Sequence, residues 1–234
     1  MKKQVWLERL GFVCLFLFLV SLAITLTINF RPLYWFDVDH LNLLDYTSLT
    51  REELLKNYGL LLDFLNNPFA STLALPDFPM SEAGAGHFYD VKQLFLLNYA
   101  VMIVTLLPSI WFVNRLRQNQ QQWRLIRPFK WGMILPLIFG FLMAVGFDRF
   151  FVTFHEIFFS NDDWLFNPAT DPIINVLPET FFMHCFILFF VLIEVFFFAF
   201  YWWGKRGLKK QRNEKKTNDP LPLKKVDRRS FFIA

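Results

Sequence analysis

Four long apolar runs separate the polar parts of the chain, and each run is long enough to cross a membrane as a helix. A helix needs about 20 residues to cross a hydrocarbon core of ~30 Å. The four runs cover residues 10–30, 94–113, 131–147 and 181–203. Only helices and closed barrels satisfy their backbone groups in lipid, so the pattern predicts an all-α membrane protein, a four-helix transmembrane bundle.

Basic residues are concentrated in three segments, which lie before the first run, between the second and third runs, and after the fourth. The middle segment holds Arg115, Arg117, Arg124, Arg127 and Lys130. By the positive-inside rule all three segments are cytoplasmic, and so are both termini. Residues 31–93 and 148–180 are therefore predicted to be extracytoplasmic helical loops, and they contain most of the His and Asp outside the tail.

The chain is predicted to form one membrane domain, residues 1–203, followed by a basic cytoplasmic tail, residues 204–234. The tail is polar and is interrupted by Pro220 and Pro222. A segment of this composition buries too little apolar surface to fold by itself. We therefore expect a mobile extension after the fourth span.

The N-terminal segment has two interpretations. Lys2 and Lys3, followed by an apolar run with small residues near Ser21, are typical of a cleavable signal peptide. The apolar run, however, continues to Phe30, which makes it long enough to cross the bilayer. We therefore predict an uncleaved first span.

The composition supports a membrane location and excludes nucleic acid as a partner. Hydrophobic residues make up 55% of the chain, and 32 of its 234 residues are Phe. The basic flanks face anionic lipid headgroups. Residues 205–229 contain no aromatic side chain that stacks on bases, so we expect membrane lipids, and no nucleic acid, as partners. Cys14 and Cys185 lie within apolar runs and lack the paired spacing of a metal site.

The first extracytoplasmic segment is predicted to contain a helix. Ser48 or Thr50 stands before two glutamates, as in a helix N-cap. Apolar residues follow at helical spacing, namely Leu54, Leu55, Tyr58, Leu61, Leu62 and Leu65. We expect this amphipathic helix to lie on the outer bilayer surface. A loop rich in Pro and Gly, residues 76–86, then leads to His87 at the entrance of the second span.

Two His–Asp pairs are the strongest candidates for chemistry. His87 and Asp90 share a face if the second span begins as a helix at this point. Asp148 and His155 share a face if the third span continues helically. A carboxylate beside an imidazole fixes its tautomer and supports its charged form. Each His could instead satisfy a buried polar contact, but two such pairs on one side of the membrane favour a reactive site.

Other polar residues are weaker candidates. His184 is either a third member of the site or a helix-packing residue. Glu194 lies inside the fourth run, where an acid is costly and therefore functional by default, although a neutral interhelical hydrogen bond is the alternative. Asp37, Asp39 and His40 are metal-ligand types, but nothing in their spacing fixes a geometry, so no metal site is predicted.

Several short motifs resemble the lipoprotein intramolecular transacylases of Gram-positive bacteria, and the resemblance covers residues 1–203. The motifs are His87-x-x-Asp90-Val91-Lys92, Phe147-Asp148, Phe154-His155, Phe158, Trp164, Asp171, Ile173-Ile174 and Pro178-x-x-Phe181-Phe182. The resemblance implies a bacterial cell-membrane acyltransferase. Its reaction moves the sn-2 acyl chain of a diacylglyceryl-lipoprotein to the α-amine of the N-terminal Cys and leaves a lyso-form lipoprotein. The family's two essential histidines correspond to His87 and His155, the expected catalytic residues.

The implied chemistry agrees with these residue types. An α-ammonium of pKa ~8 must lose a proton before it attacks an ester, and an imidazole is a suitable base near neutrality. Oxyanion donors would be a second imidazolium, Lys92 or Arg149. Supporting roles are expected for Asp90, Lys92, Asp148, Arg149 and Asp171. Since amine and ester belong to one diacylated lipoprotein, no acyl-enzyme and no cofactor are required, and the active site faces the extracytoplasmic side.

Two other classes of protein remain as alternatives. A small-molecule transporter needs polar residues through the depth of the membrane, yet the span interiors contain few besides Asn98, Thr105 and Glu194. A non-enzymatic membrane assembly or sensor protein would account for the basic tail. It would leave the spacing of the His–Asp pairs without a purpose.

Overall fold

The computed structural model describes residues 2–218, which fold into eight α-helices and three 3₁₀ turns. No β-strand occurs within that range, so the predicted all-α class is confirmed. Residues 219–234 of the predicted tail, with Pro220 and Pro222, lie outside the described residues. The helices are α1 (Lys2–Ile28), α2 (Arg31–His40), α3 (Arg51–Asn66), α4 (Glu82–Gln118), α5 (Ile126–Gly132), α6 (Ile134–Val145), α7 (Phe147–Phe158) and α8 (Glu179–Asn218), and the 3₁₀ turns are Leu43–Tyr46, Gln122–Leu125 and Pro172–Val176.

Four stretches of the described chain are long and apolar enough to cross a membrane, as predicted. They lie in α1, in α4, in α5 together with α6, and in α8. The third stretch is interrupted, because α5 ends at Gly132 and α6 begins at Ile134. Pro136 explains the break, since it has no N–H to donate to the Gly132 carbonyl.

The spans are held together by close packing of aromatic rings and small residues. Gly11 of α1 lies against the ring of Phe112 of α4, where a Cβ would overlap the ring. Phe16 of α1 stacks on Phe129 of α5 at 4.8 Å and meets Phe197 of α8 edge-on at 5.2 Å. Lipid tails are as apolar as these rings, so the fit between the helices, rather than exclusion of water, stabilises the bundle.

Helix α3 forms where the sequence predicts it, and its apolar face packs against protein. Thr50 caps it in a reciprocal capping box with Glu53: the Glu53 N–H donates to Thr50 Oγ1, and the Thr50 N–H donates to Glu53 Oε2. Leu54, Leu61 and Leu65 are buried in a protein core shared with α2, α4 and the Pro172–Val176 turn. The periodicity locates the apolar face, but it does not distinguish lipid from protein as the partner of that face.

Helix α4 begins earlier than predicted. Ser81 is its N-cap and accepts a hydrogen bond from the Gly84 N–H at 3.0 Å, so the last residues of the predicted 76–86 loop are helical. Tertiary contacts with residues 163–171, which lie between α7 and α8, stabilise these first turns despite two glycines, Gly84 and Gly86. His87 consequently lies in the second turn of a 37-residue helix.

Helix α8 continues through the first part of the predicted tail to Asn218. Gly204 and Gly207 bring it so close to the link between α4 and α5 that a Cβ at Gly204 would lie 2.9 Å from the Gln122 carbonyl oxygen. The Gln211 side chain also donates to the Gln120 carbonyl. These contacts order a segment whose composition alone predicts a mobile extension.

Candidate functional site

Two histidines from separate helices meet at the end of the bundle opposite the basic link between α4 and α5. His87 of α4 and His155 of α7 have ring centroids 5.7 Å apart, with 35° between the ring planes. Their exposed fractions are 7% and 9%. The structure therefore brings together the two residues predicted to be catalytic.

His155 is held in a single tautomer. Its Nδ1 lies 2.7 Å from the carbonyl oxygen of Phe151, one turn earlier in α7. A carbonyl only accepts, so Nδ1 carries the hydrogen and Nε2 has the free lone pair in the neutral ring. Burial lowers the pKa of His155, and the hydrogen bond to Phe151 opposes that shift only in part. At pH 7 the ring is therefore neutral and able to accept a proton at Nε2.

An aromatic cover, formed by Phe159, Trp164 and Phe166, encloses both imidazoles. The Trp164 ring stacks on His155 at 4.8 Å. Phe159 meets His87 at 4.8 Å and His155 at 5.6 Å, and Phe166 meets His87 edge-on at 5.5 Å. These rings exclude water from the two histidines, which strengthens electrostatic interactions within the site.

His87 and Asp90 both lie in α4, as the predicted pair requires, but no hydrogen bond joins their side chains. Asp90 Oδ2 instead accepts from the side-chain amide of Asn161 at 2.9 Å, so it fastens the segment between α7 and α8 to α4. His87 Nδ1 is buried and has no hydrogen-bond partner among residues 2–218. Spacing on one helix places two side chains on the same face, but it does not decide which partner a neighbouring segment supplies.

The predicted pairing of Asp148 with His155 is also not formed. Both residues lie on α7, about two turns apart. Gly146 separates α7 from α6, so the third span does not continue helically as expected. Asp148 lies within hydrogen-bonding range of Glu179 at the start of α8. Arg149, an expected oxyanion donor, is exposed.

Lys92, another expected oxyanion donor, is directed away from the two histidines. It is 2% exposed, and its Nζ donates to the Ala70 carbonyl and lies 4.4 Å from the centroid of the Phe64 ring. Five residues along a helix correspond to a rotation of about 140° from His87. Lys92 therefore fastens the 67–80 segment to α4.

Asp171 fixes the start of α4. It is 2% exposed, and its Oδ1 accepts the Ser81 N–H at 2.7 Å while its Oδ2 accepts from the Thr170 hydroxyl at 2.6 Å. Burial acts to raise the pKa of the Asp171 carboxyl, but these hydrogen bonds outweigh it and keep the pKa below its usual range. A Cβ at Gly84 would overlap this carboxylate. Asp171 thereby positions the helix turn that precedes His87.

A third His–Asp pair was not predicted. His184 of α8 donates from Nδ1 to Oδ1 of Asp37 at 2.8 Å, and Asp37 is fully buried. The sequence pattern that could have identified this pair is in α2, where Asp37 lies on the same buried face as Tyr34 and Val38. This pair joins α2 to α8 and supports the helix-packing interpretation of His184. Glu194 Oε1 is buried without a hydrogen-bond partner in the described chain, so this atom does not form the interhelical hydrogen bond that was the alternative to a functional role.

His, Cys, Asp and Glu side chains do not cluster as a metal site within residues 2–218. No group of three or more of them is arranged to hold a metal ion in that range. Asp37 binds His184, Asp39 binds Arg51, and His40 stacks on Phe36. The two imidazoles can transfer protons and form hydrogen bonds.

Known proteins resemble the chain over most of its length. A model of the lipoprotein intramolecular transacylase family, Lit, matches residues 9–182. The chain is similar to the solved membrane-integral lipoprotein intramolecular transacylase Lit of Bacillus cereus, with 29% identity and a TM-score of 0.86 over 91% of this chain and 99% of that chain.

Two further solved structures are variants of the same Bacillus cereus protein. In them one histidine is replaced by arginine or by alanine, and each shares 30% identity with this chain at a TM-score of 0.77. The matches cover 91% of this chain, with 97% of the arginine variant and 98% of the alanine variant. No curated protein sequence matches the chain.

Proposed function

The chain belongs to the lipoprotein intramolecular transacylase family, and we propose that His87 and His155 together catalyse its acyl transfer on the extracytoplasmic side of the membrane. The enzyme is an acyltransferase, which moves the sn-2 acyl chain of a diacylglyceryl-lipoprotein to the α-amine of its N-terminal Cys. The observation that carries the proposal is the 5.7 Å separation of the two imidazole centroids. The assembly and transporter alternatives offer no role for such a pair.

His155 is the general base in this proposal. Its Nδ1 is committed to the Phe151 carbonyl, so Nε2 is the atom that accepts a proton. The substrate's α-amine attacks the ester carbonyl while Nε2 takes one of its protons. Since the pKa of His155 is lowered by burial, the ring is unprotonated at neutral pH and ready for this step.

His87 stabilises the oxyanion. Two imidazolium ions at this separation in a water-poor site would repel each other strongly, so His87 remains neutral while His155 is charged. A neutral imidazole keeps one N–H, and this N–H donates to the developing oxyanion of the tetrahedral intermediate. In this proposal His87 is therefore the oxyanion donor, a role that the sequence analysis also considered for Lys92 and Arg149.

Collapse of the intermediate completes the transfer. The bond between the acyl carbon and the sn-2 glycerol oxygen breaks, and the proton held by His155 passes to that oxygen. The amide has then formed and both imidazoles are neutral again, so no external acid, base or cofactor enters the balance. Ser160, the serine next to the aromatic cover, is exposed and makes no hydrogen bond to either histidine in the described chain, which favours direct attack over an acyl-enzyme.

The lipid chains of the substrate remain beside the apolar surface next to the site. Val145 of α6 and Ile157 and Phe158 of α7 are 73%, 72% and 52% exposed. Exposed apolar residues at one end of a span are suited to acyl chains of the outer leaflet. The orientation rests on the basic link between α4 and α5, which favours the cytoplasm and leaves the histidines outside.

Glutamine variants of the histidines test the proposal. In cells that lack their own enzyme, wild-type protein, H87Q, H155Q and H40Q are expressed, and lipoprotein N-termini are analysed by mass spectrometry. H87Q and H155Q should each lower lyso-form production by at least about 100-fold at equal protein level. His40 is exposed and separate from the pair, so H40Q should match wild type. Wild-type conversion by both H87Q and H155Q would refute the assignment.

A further inference from the structure

The indole ring of Trp164 stacks on the imidazole of His155, with centroids 4.8 Å apart and 30° between the planes. We propose that Trp164 is a positioning residue for His155, whose indole face holds the imidazole in place and stabilises the imidazolium formed during transfer. The inference rests on the proposed function, in which His155 accepts the amine proton. In this inference Trp164 contributes to catalysis without itself exchanging protons.

Two contacts from different directions fix the His155 ring. The hydrogen bond from Nδ1 to the Phe151 carbonyl, at 2.7 Å, occupies that nitrogen and leaves Nε2 free. The stack on Trp164 decides the tilt of the ring plane about that bond. The Phe151 ring contacts His155 as well, but its plane is tilted by 50° from that of the imidazole, compared with 30° for Trp164. With both contacts formed, the lone pair of Nε2 points in one fixed direction.

Within residues 2–218 the hydrogen-bond partner of His155 is the Phe151 carbonyl, and no carboxylate pairs with the ring to stabilise its charged form further. Asp90 is bonded to Asn161, and Asp148 lies against Glu179. His87 is the titratable side chain whose ring contacts His155, and as a neutral ring it contributes no negative charge. An indole face attracts a cation within about 6 Å of its centroid, more strongly than a phenyl or phenol face does. Trp164 therefore takes the place of the missing carboxylate.

The segment that carries Trp164 is fastened on both sides. Before it, the Asn161 side chain donates to Asp90 of α4, and after it, Asp171 accepts the N–H of Ser81 at the start of α4. The same helix carries His87. Trp164, His155 and His87 are thus held by one set of contacts, which allows a single side chain to control the orientation of the base relative to the oxyanion donor.

Kinetics of Trp164 variants test the inference. The substrate is a synthetic diacylated lipopeptide with a free N-terminal Cys amine, and kcat and KM are measured in proteoliposomes by mass spectrometry. W164L removes the aromatic face and should lower kcat about tenfold with KM changed less than about twofold. W164F retains an aromatic face that attracts a cation more weakly. Its log kcat should lie about halfway between the values for W164L and the wild type. W35L makes the same change at an exposed tryptophan of α2 and should leave both constants unchanged.

A fluorinated tryptophan series at position 164 separates electronic stabilisation from packing. Tryptophans with one to four ring fluorines keep the shape of the side chain and progressively weaken its attraction for a cation. The logarithm of kcat should fall steadily along the series, whereas a flat series overturns the inference even if W164L fails to fold. H155Q is measured in parallel: if it reacts at the wild-type rate, the proposed function itself fails. If H155Q is inactive and the series is flat, only the role of Trp164 is wrong.

Discussion

The imidazole rings of His87 and His155 lie 5.7 Å apart although α4 and α7 belong to different halves of the chain. Asp171 and Asn161, from the segment between α7 and α8, bind the first turns of α4 and thereby align the two histidines. The arrangement of the two rings therefore depends on a few hydrogen bonds between α4 and this segment as much as on packing of the spans.

The pH dependence of transfer should reflect His155. Burial lowers its pKa below the ordinary value of 6.5. Because a proton on Nε2 removes the base, kcat should fall on the acid side with a midpoint below 6.5. The ratio kcat/KM also reports the free substrate, whose α-amine has a pKa of about 8, so it should keep rising to near pH 8. Initial rates between pH 5 and 9 measure both profiles, and a kcat midpoint above 6.5 would contradict the assignment.

Blocking the substrate amine distinguishes direct attack from a covalent relay. A diacylated lipopeptide with an acetylated N-terminus should retain both acyl chains, since the nucleophile is absent. The enzyme should also keep its own mass when measured intact after incubation. A gain of one acyl chain on the enzyme, lost when free-amine lipopeptide is added, would establish a relay instead.

Replacing Gly84 by Ala should damage the site from a distance. The added Cβ overlaps the Asp171 carboxylate and displaces it from the Ser81 N–H. We expect G84A to lower the free energy of unfolding by about 1–3 kcal/mol and conversion by about tenfold. In G140A the Cβ meets only Phe190 at 3.9 Å, so this control in α6 should be neutral or slightly stabilising. Denaturation in mild detergent measures the free energy of unfolding, and the lipopeptide assay measures conversion. If G84A and G140A behave alike in both, the added Cβ at position 84 does not displace Asp171.

The pair of Asp37 and His184 should matter for stability rather than chemistry. H184L leaves the fully buried Asp37 without its partner and should cost about 3–5 kcal/mol of unfolding free energy. The double variant D37L/H184L removes both polar groups and should regain most of that loss. The exposed pair of Arg51 and Asp39 provides a control, since R51Q should cost less than about 1 kcal/mol. If H184L is as stable as R51Q, the buried pair does not stabilise the fold.

The fold was predictable wherever one segment carries its own signal. Four apolar runs predict four spans, and Thr50 with Glu53 predicts the start of α3. The extension of α4 back to Glu82 and of α8 to Asn218 depends on contacts with distant segments, which no local pattern contains. The burial of α3 against protein depends on such contacts as well.

The two central histidines were predictable from the resemblance, but their surroundings were not. The local rule for partners three or seven residues apart pairs Asp90 with His87 and Asp148 with His155. In the structure, Asp90 instead binds Asn161, from a loop with no regular period. The aromatic cover comes from the same loop, and irregular segments leave no periodic trace in a sequence.

Under the proposed function, the turn at Gly146 affects how far a lipid must rise out of its leaflet to react. A continuous helix would carry His155 about 15 Å beyond the end of α6. Instead, Phe147, Phe150 and Phe154 all contact Phe186, so α7 crosses α8 within two turns of the start of that helix. Lifting acyl chains into water costs about 0.8 kcal/mol for each methylene group. We therefore expect the substrate to arrive by lateral diffusion and to undergo transfer without being extracted from its monolayer.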